Sequence, residues 1–355
     1  MLIKLNHILI FALVAFSLGM LMYPLYIKLL KRFKAGKTIR EDTATGEKST
    51  IFAKLHKHKA GTPTMWWWLL MVITLIMIWL SLLVQKWWRV NNSLLSRQET
   101  YVILLWFFGM WLIWLIDDIL NIKWFGRKKW LSVKAKLLMM FIFAWFISWW
   151  FYSKLWVDYI NFWPFAGDVH LWLFYPILTF FFTITVVNAI NITDGLDGLA
   201  WWLMAIILFV LWAVTLMNQT YIATTLVIIV MAILASFMFF NIFPAKIFMG
   251  DSWAFAMWWL LASLVFLLNM RMGIIIPFMI IFGLFIVDLT SSALQMFWKK
   301  RFKKKLFSMS PLHHWFEHKW LHETTIVMKA WMLQAILAAI AIVMIVYQMN
   351  WTFIK

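Results

Sequence analysis

Along most of the chain, apolar residues do not alternate with polar ones at a strand period or line one helical stripe. They form uninterrupted runs of near twenty residues, long enough for a helix to cross the roughly 30 Å hydrocarbon core of a bilayer. The runs fall approximately at 6–29, 66–86, 100–117, 137–155, 171–190, 199–217, 221–240, 253–269, 273–296 and 326–348, which predicts about ten spanning helices. The first run is long enough to span and carries no small-residue cleavage site, so it reads as an anchor and not as a removed signal peptide. No soluble domain, repeat or low-complexity tract interrupts the series, and residues 1–355 read as a single polytopic, all-α integral membrane domain.

Composition sharpens this reading. Hydrophobic residues make up 65% and charged residues 13% of the 355, and the mean hydropathy is +0.85. A water-soluble core cannot hide that much apolar surface. A disordered chain, a nucleic-acid-binding domain and a secreted disulfide scaffold are excluded. The absence of Cys also removes thiolate metal sites and Cys nucleophiles. The net charge of +18 is unevenly placed. Lys31, Arg32, Lys34, Lys37, Arg40, Lys48, Lys54, Lys57 and Lys59 lie between the first two runs. Lys123, Arg127, Lys128, Lys129, Lys134 and Lys136 follow the third, and Lys299, Lys300, Arg301, Lys303, Lys304, Lys305 and Lys319 follow the ninth. The intervening loops are short and poor in Lys and Arg. By the positive-inside rule the rich loops face the cytoplasm, and ten spans then put both termini outside. The basic clusters are topology signals that also meet anionic headgroups, so no nucleic-acid partner is expected.

Carboxylates are scarce, at fourteen Asp plus Glu. Five sit where predicted spans meet the cytoplasmic side: Asp117, Asp118, Asp194, Asp197 and Asp251. Acids beside hydrocarbon are expensive and functional by default. A transport site would more naturally place them near mid-membrane. Surface acids beside Lys, with no thiolates, suit Mg2+ held together with substrate phosphates, and so metal-assisted phosphoryl transfer.

Specific motifs then appear in order: Gly61-Thr62-Pro63-Thr64-Met65, Asp117-Asp118, Asn188 through Ala200 (NAINITDGLDGLA), Phe248-Met249-Gly250-Asp251 and Pro311-Leu312-His313-His314. This ordered set resembles the phospho-N-acetylmuramoyl-pentapeptide-transferase family over essentially the whole chain, within the wider group of polyprenyl-phosphate N-acetylhexosamine-1-phosphate transferases. The resemblance implies transfer of phospho-MurNAc-pentapeptide from its UDP carrier to undecaprenyl phosphate, giving lipid I and UMP for peptidoglycan synthesis. It also implies Mg2+ as cofactor, the bacterial cytoplasmic membrane as location and a homodimer.

Residue roles carried over from the family are as follows. Asp251 is the Mg2+ ligand. Asp117 and Asp118 deprotonate or orient the lipid phosphate. Asp194 and Asp197, with Asn191, Gly195 and Leu196, hold the nucleotide side. Lys59, Thr64, Asn241 and Phe248 line a uridine pocket. Lys123 and Lys134 counter diphosphate charge, and His313 and His314 contact phosphate or support the acids. Asp288 stands where the family typically has Glu, and is expected to line the lipid groove or pair internally. Pro277 can kink its helix. Two alternatives stay open: a related transferase using UDP-GlcNAc, against which the GTPTM and PLHH segments argue, and a lipid-phosphate transporter.

Two departures matter. His314-Trp315-Phe316-Glu317-His318 fits the H-x-x-E-H zinc-protease pattern, which needs a third ligand, and Trp315 stands where the family usually has a third His. Tryptophan is also over-represented, with 28 Trp against 12 Gly. Trp66, Trp67, Trp111, Trp114, Trp130, Trp201, Trp202, Trp253, Trp258 and Trp259 fall where the family tends to carry Gly. Gly at such sites permits close backbone approach, and the largest side chain there overpacks. The pattern reads as UGA codons that specify Gly in the host but are written as Trp.

Overall fold

The computed structural model describes residues 2–33, 59, 61–64, 67–88, 94–95, 104, 108, 133–249, 251–319 and 321–354. In chain order the helices are α1 (Leu2–Arg32), α2 (Trp67–Trp88), α3 (Val133–Lys154), α4 (Phe174–Thr193), α5 (Leu199–Met217), α6 (Tyr221–Asn241), α7 (Asp251–Met272), α8 (Ile275–Ile281), α9 (Gly283–Phe302), α10 (Leu312–His318) and α11 (Glu323–Ile354). Among the described residues, seven helices are long and apolar enough to cross a membrane, and the bent pair α8–α9 makes an eighth. Apart from Leu104 and Phe108, the expected third span, 100–117, lies outside the described residues. The second through tenth expected runs otherwise each coincide with a helix, as does the first.

These helices are apolar on their outer faces as well as inside. Leu13, Leu21, Ile142, Trp145, Phe181, Phe239, Met332 and Val343 are all exposed on spanning helices. Water would penalise such surface; lipid tails do not. The chain is therefore a multi-pass membrane protein. Inside, α6 packs between α1 and α5, α4 lies against α3, α7 and α9, and α11 lies against α5 and α8. Tyr23 of α1 meets Phe240 of α6 at a ring separation of 5.7 Å, so the C-terminal half of α1 runs past the C-terminal end of α6.

The all-helical expectation needs one amendment. Between α3 and α4 the chain forms a small antiparallel pair, β1 (Tyr159–Asn161) and β2 (Asp168–His170), with Ile160 opposite Val169. The Tyr159 hydroxyl donates to the carbonyl of Met270 at 3.1 Å, tying the hairpin to the end of α7.

The bend in the ninth span is not at Pro277. That residue is the third of α8, in the first turn, where a missing N–H breaks no helical bond. The axis turns by 69° further on, between Ile281 and Gly283. Backbone carbonyls freed by a break inside a membrane must find partners. The buried Gln334 of α11 donates its amide to the Ile281 carbonyl at 2.6 Å.

Candidate active site

α4 finishes at Thr193 and α5 starts at Leu199, and the turn between them is Asp194-Gly195-Leu196-Asp197-Gly198. Its backbone closes locally: the Gly195 N–H donates to Thr193 O at 2.9 Å and the Leu199 N–H to Leu196 O at 3.2 Å. Gly198 has φ +80 in the left-handed region, where any other L-residue costs about 1–2 kcal/mol. Its N–H donates to Oδ1 of Asn241 at 3.1 Å, and Nδ2 of Asn241 donates to the Ile247 carbonyl at 2.9 Å. Asn241 is buried. One amide thus locks the end of α6 to the start of α5 and orders the segment that leads to Phe248.

Lys59, Asp197 and Glu323 form a buried ionic cluster. The Lys59 ammonium lies 2.8 Å from Asp197 Oδ1 and 2.6 Å from Glu323 Oε1. Glu323 Oε1 also accepts the Asp197 N–H at 2.5 Å, and Asp197 Oδ2 accepts the Ala245 N–H at 3.0 Å. Buried charges persist only when paired and hydrogen-bonded, and here every member is. Lys59 was expected at a uridine pocket; the structure gives its charge to two carboxylates. Glu323 escaped sequence reasoning. A carboxylate opening the first turn of a helix reads as a dipole partner, and nothing local signals a partner 264 positions away.

Two imidazoles close the turn from the other side. His313 and His314 are buried, with ring centroids 4.3 Å apart. Nδ1 of His313 lies 2.7 Å from Asp288 Oδ2, and Nδ1 of His314 lies 2.9 Å from Glu317 Oε2. A carboxylate only accepts, so each Nδ1 carries a proton. The Nε2 atoms of both rings face Gly195, where an added Cβ would overlap them. Gly195 is thus a glycine because of what packs over it. The glycine-rich turn and the His segment, 118 positions apart in the chain from Gly195 to His313, form one surface.

The remaining expected residues are placed unevenly. The Phe248 N–H donates to the Pro63 carbonyl at 2.7 Å, which seats Thr64 beside the half-buried Phe248 segment. Leu196 is buried in the turn, Asp194 caps the end of α4 and is partly exposed, and Asn191 is exposed on the last turn of α4. Asp288, expected to line a lipid groove or pair internally, pairs internally with His313. Asp117, Asp118 and Lys123 lie outside the described residues. Asp251 opens α7 and Lys134 lies in the first turn of α3, and their side chains are likewise outside them. Of the tryptophans at expected glycine sites, Trp201 and Trp202 fall within the described side chains.

The donor set fits a hard divalent cation. Cysteine is absent, and the candidate ligand Asp251 begins a helix. The Lys59 cluster holds two carboxylates to one ammonium, so it has no positive charge to spare for a diphosphate. A diphosphate there would need its counter-charge from elsewhere, and Mg2+ held by Asp251 would supply one. The H-x-x-E-H reading fares worse. Glu317 is engaged by His314, and among the described residues no three His, Asp or Glu side chains are grouped to hold a metal.

Comparison with known proteins gives the family. The family model for Glycosyl transferase family 4 matches residues 100–269. A protein from Clostridioides difficile (strain 630) is 30% identical over 342 residues, which cover 94% of this chain and 96% of that protein. One from Thermoanaerobacter sp. (strain X514) is 32% identical over 335 residues, covering 94% and 96%. One from Clostridium acetobutylicum is 29% identical over 333 residues, covering 93% and 96%. All three carry the name phospho-N-acetylmuramoyl-pentapeptide-transferase.

Proposed function

The chain belongs to the phospho-N-acetylmuramoyl-pentapeptide-transferase family, and on that premise we propose that it moves phospho-MurNAc-pentapeptide from UDP-MurNAc-pentapeptide to undecaprenyl phosphate. The products are lipid I and UMP, and the step belongs to peptidoglycan synthesis. The observation that carries this reading is the Asp194–Gly198 turn, clasped from three sides by Asn241, by the Lys59–Glu323 pair and by the two imidazoles. Such a turn, at one end of a membrane bundle, presents backbone and acids where a soluble nucleotide and a lipid phosphate can both arrive.

In this reading Asp251 holds Mg2+, which neutralises diphosphate charge when bound. Asp117 and Asp118 orient or deprotonate the lipid phosphate, and Lys123 and Lys134 meet the diphosphate. Asp194, Asn191, Leu196 and the Phe248 and Thr64 segment take the nucleotide side. The protein spans the bacterial cytoplasmic membrane about ten times, with both termini outside, and pairs as a homodimer. Support for the orientation comes from charge. Lys31 and Arg32 end α1, and Lys299, Lys300 and Arg301 end α9, at the end of the bundle that carries the site.

The test is UMP release by the purified protein in detergent. Release is expected with UDP-MurNAc-pentapeptide, undecaprenyl phosphate and Mg2+ together, and not when the lipid is omitted. Equal release from UDP-GlcNAc would reassign the donor, and no release from either would remove the transferase reading.

A further inference from the structure

α9 carries three buried polar residues on one face, Asp288, Ser291 and Gln295, at the i, i+3, i+7 spacing of a helical stripe. Polar side chains in a spanning helix are costly unless satisfied, and each of these grips the segment that leads into α10. Gln295 Oε1 accepts the N–H groups of Leu306 at 3.0 Å and Phe307 at 2.8 Å, and its amide donates to Phe307 O at 3.0 Å. Ser291 Oγ accepts the Leu312 N–H at 3.0 Å and donates to Asp288 O at 2.7 Å. Asp288 takes His313 twice, the backbone N–H on Oδ1 at 3.3 Å and the ring Nδ1–H on Oδ2 at 2.7 Å.

The third grip differs from the other two. Gln295 and Ser291 hold backbone alone, whereas Asp288 fixes a titratable ring in one tautomer and one orientation. The result is a buried Nε2 with no hydrogen-bond partner among the described residues, facing Gly195. Orphaned polar atoms in a native interior call for an explanation, and one at the glycine-rich turn points to a ligand atom.

We propose that Asp288 is a positioning residue for His313. It aims Nε2 at the Asp194–Gly198 turn, where Nε2 hydrogen-bonds a phosphoryl oxygen of the bound diphosphate. With a phosphate oxygen in place, the ring bridges two anions, and protons on both nitrogens satisfy both. This rests on the transferase reading for the identity of the diphosphate, and the geometry of the Asp288–His313 pair is independent of it.

The experiment uses the full chain in detergent, with Asp288→Asn, Asp288→Glu and Ser291→Ala. Asp288→Asn leaves an amide that holds the ring without the charge behind it. The expected result is a kcat reduced about tenfold or more and a donor KM raised with it, the pattern of a contact made to the bound diphosphate and strengthened in the transition state. Asp288→Glu, which keeps a carboxylate to hold the ring, restores most of the kcat, and Ser291→Ala, which loses only a backbone strut, keeps it. Wild-type-like turnover in Asp288→Asn overturns the proposal. So does a loss shared equally with Ser291→Ala and tracking the melting temperature. A second arm needs no turnover: UDP should stabilise the wild type against heat more than uridine does, and Asp288→Asn should lose that difference. If the wild type releases no UMP but this arm behaves as stated, the transferase reading fails while the positioning role stands. If Asp288→Asn keeps the difference, the positioning role fails.

Discussion

Glu323 Oε1 lies 2.6 Å from the Lys59 ammonium, and both side chains are more than nine-tenths buried. Through this pair the start of the last spanning helix is fastened to a residue that precedes α2, and both are fastened to Asp197 between α4 and α5. Removing Glu323 leaves the Lys59–Asp197 pair in place but takes one partner from the ammonium and the acceptor from the buried Asp197 N–H, at about 1–3 kcal/mol for the group left unsatisfied. Glu323→Ala is therefore expected to lower the melting temperature and raise the donor KM together. Lys59→Met with Glu323→Leu lowers stability further, because it strands the buried Asp197 carboxylate without a counter-charge, at about 3–5 kcal/mol, and binding stays weak. Thermal unfolding and UMP-release kinetics on the two variants check this. Full donor affinity in Glu323→Ala would separate the cluster from the nucleotide side.

Asn241 separates donor from acceptor in a way that mutation can read. Its Oδ1 accepts from Gly198 and its Nδ2 donates to Ile247 O. Asn241→Ala abandons both backbone groups in a buried place, at about 1–3 kcal/mol for each group left unsatisfied. Asn241→Asp keeps an acceptor for Gly198 but sets an anion against the Ile247 carbonyl. The expected order of thermal stability is wild type, then Ala, then Asp, with donor KM rising along the same series.

Gly195 gives a test that spares the backbone. It does not need a left-handed conformation, so Gly195→Ala meets no dihedral penalty, and the atoms its Cβ meets first belong to the two imidazole rings, Nε2 of both and Cδ2 of His313. Displacing those rings should reduce kcat about tenfold or more while the melting temperature moves little. Gly198→Ala is the contrast: its φ of +80 makes the change a stability defect first.

How much of this was legible beforehand depended on the range of the interaction. Apolar run length places α1, α2, α3, α5 and α6 to within a few residues, since a span needs only its own sequence to satisfy its backbone. The start of α4 was set at 171 and lies at Phe174. Leu171 and Trp172 are as apolar as the helix, but their N–H groups donate to Asp158 O, just before β1. The break after Ile281 sits in an unbroken apolar run, and the group that satisfies it, Gln334, is remote. Motif order foresaw that the glycine-rich turn and the His segment belong together. It did not foresee that Asp288 holds His313 or that Glu323 holds Lys59, because ion pairs across the bundle have no local period.

Charge balance at the turn gives magnesium dependence as an expected outcome. With Lys59 already neutralised by Asp197 and Glu323, a diphosphate at this site lacks a counter-charge from that residue. Chelation of Mg2+ should abolish UMP release, and re-addition should restore it. Asp251→Ala should raise the Mg2+ concentration needed for half-maximal turnover, or abolish activity at any concentration. Undiminished exchange in chelator would sever the carboxylates from the proposed chemistry.

The tryptophans after the turn bring the chain's identity into the argument. Trp201 is among the largest fully buried side chains and meets Phe237 edge-on at 6.2 Å. Trp202 lies on Trp331 with ring centroids 4.5 Å apart, and the indole N–H groups of Trp202 and Trp331 are buried with no acceptor among the described residues. A buried tryptophan normally finds a partner for that N–H, and leaving it unmet costs about 1–3 kcal/mol. Glycine at 202 would remove one such donor and let α5 approach α11 more closely, the packing that small residues give membrane helices. If these positions are UGA-encoded glycines, the intact mass of the protein from its own host falls below that of the printed chain by one Trp-for-Gly difference per recoded site. Trp201→Gly with Trp202→Gly in a recombinant chain should then raise folded yield and turnover. An ordinary buried Trp truncation would instead cost about 3–5 kcal/mol. UGG codons at 201 and 202, with a native mass that includes both indoles, would establish tryptophan as the working residue beside the turn.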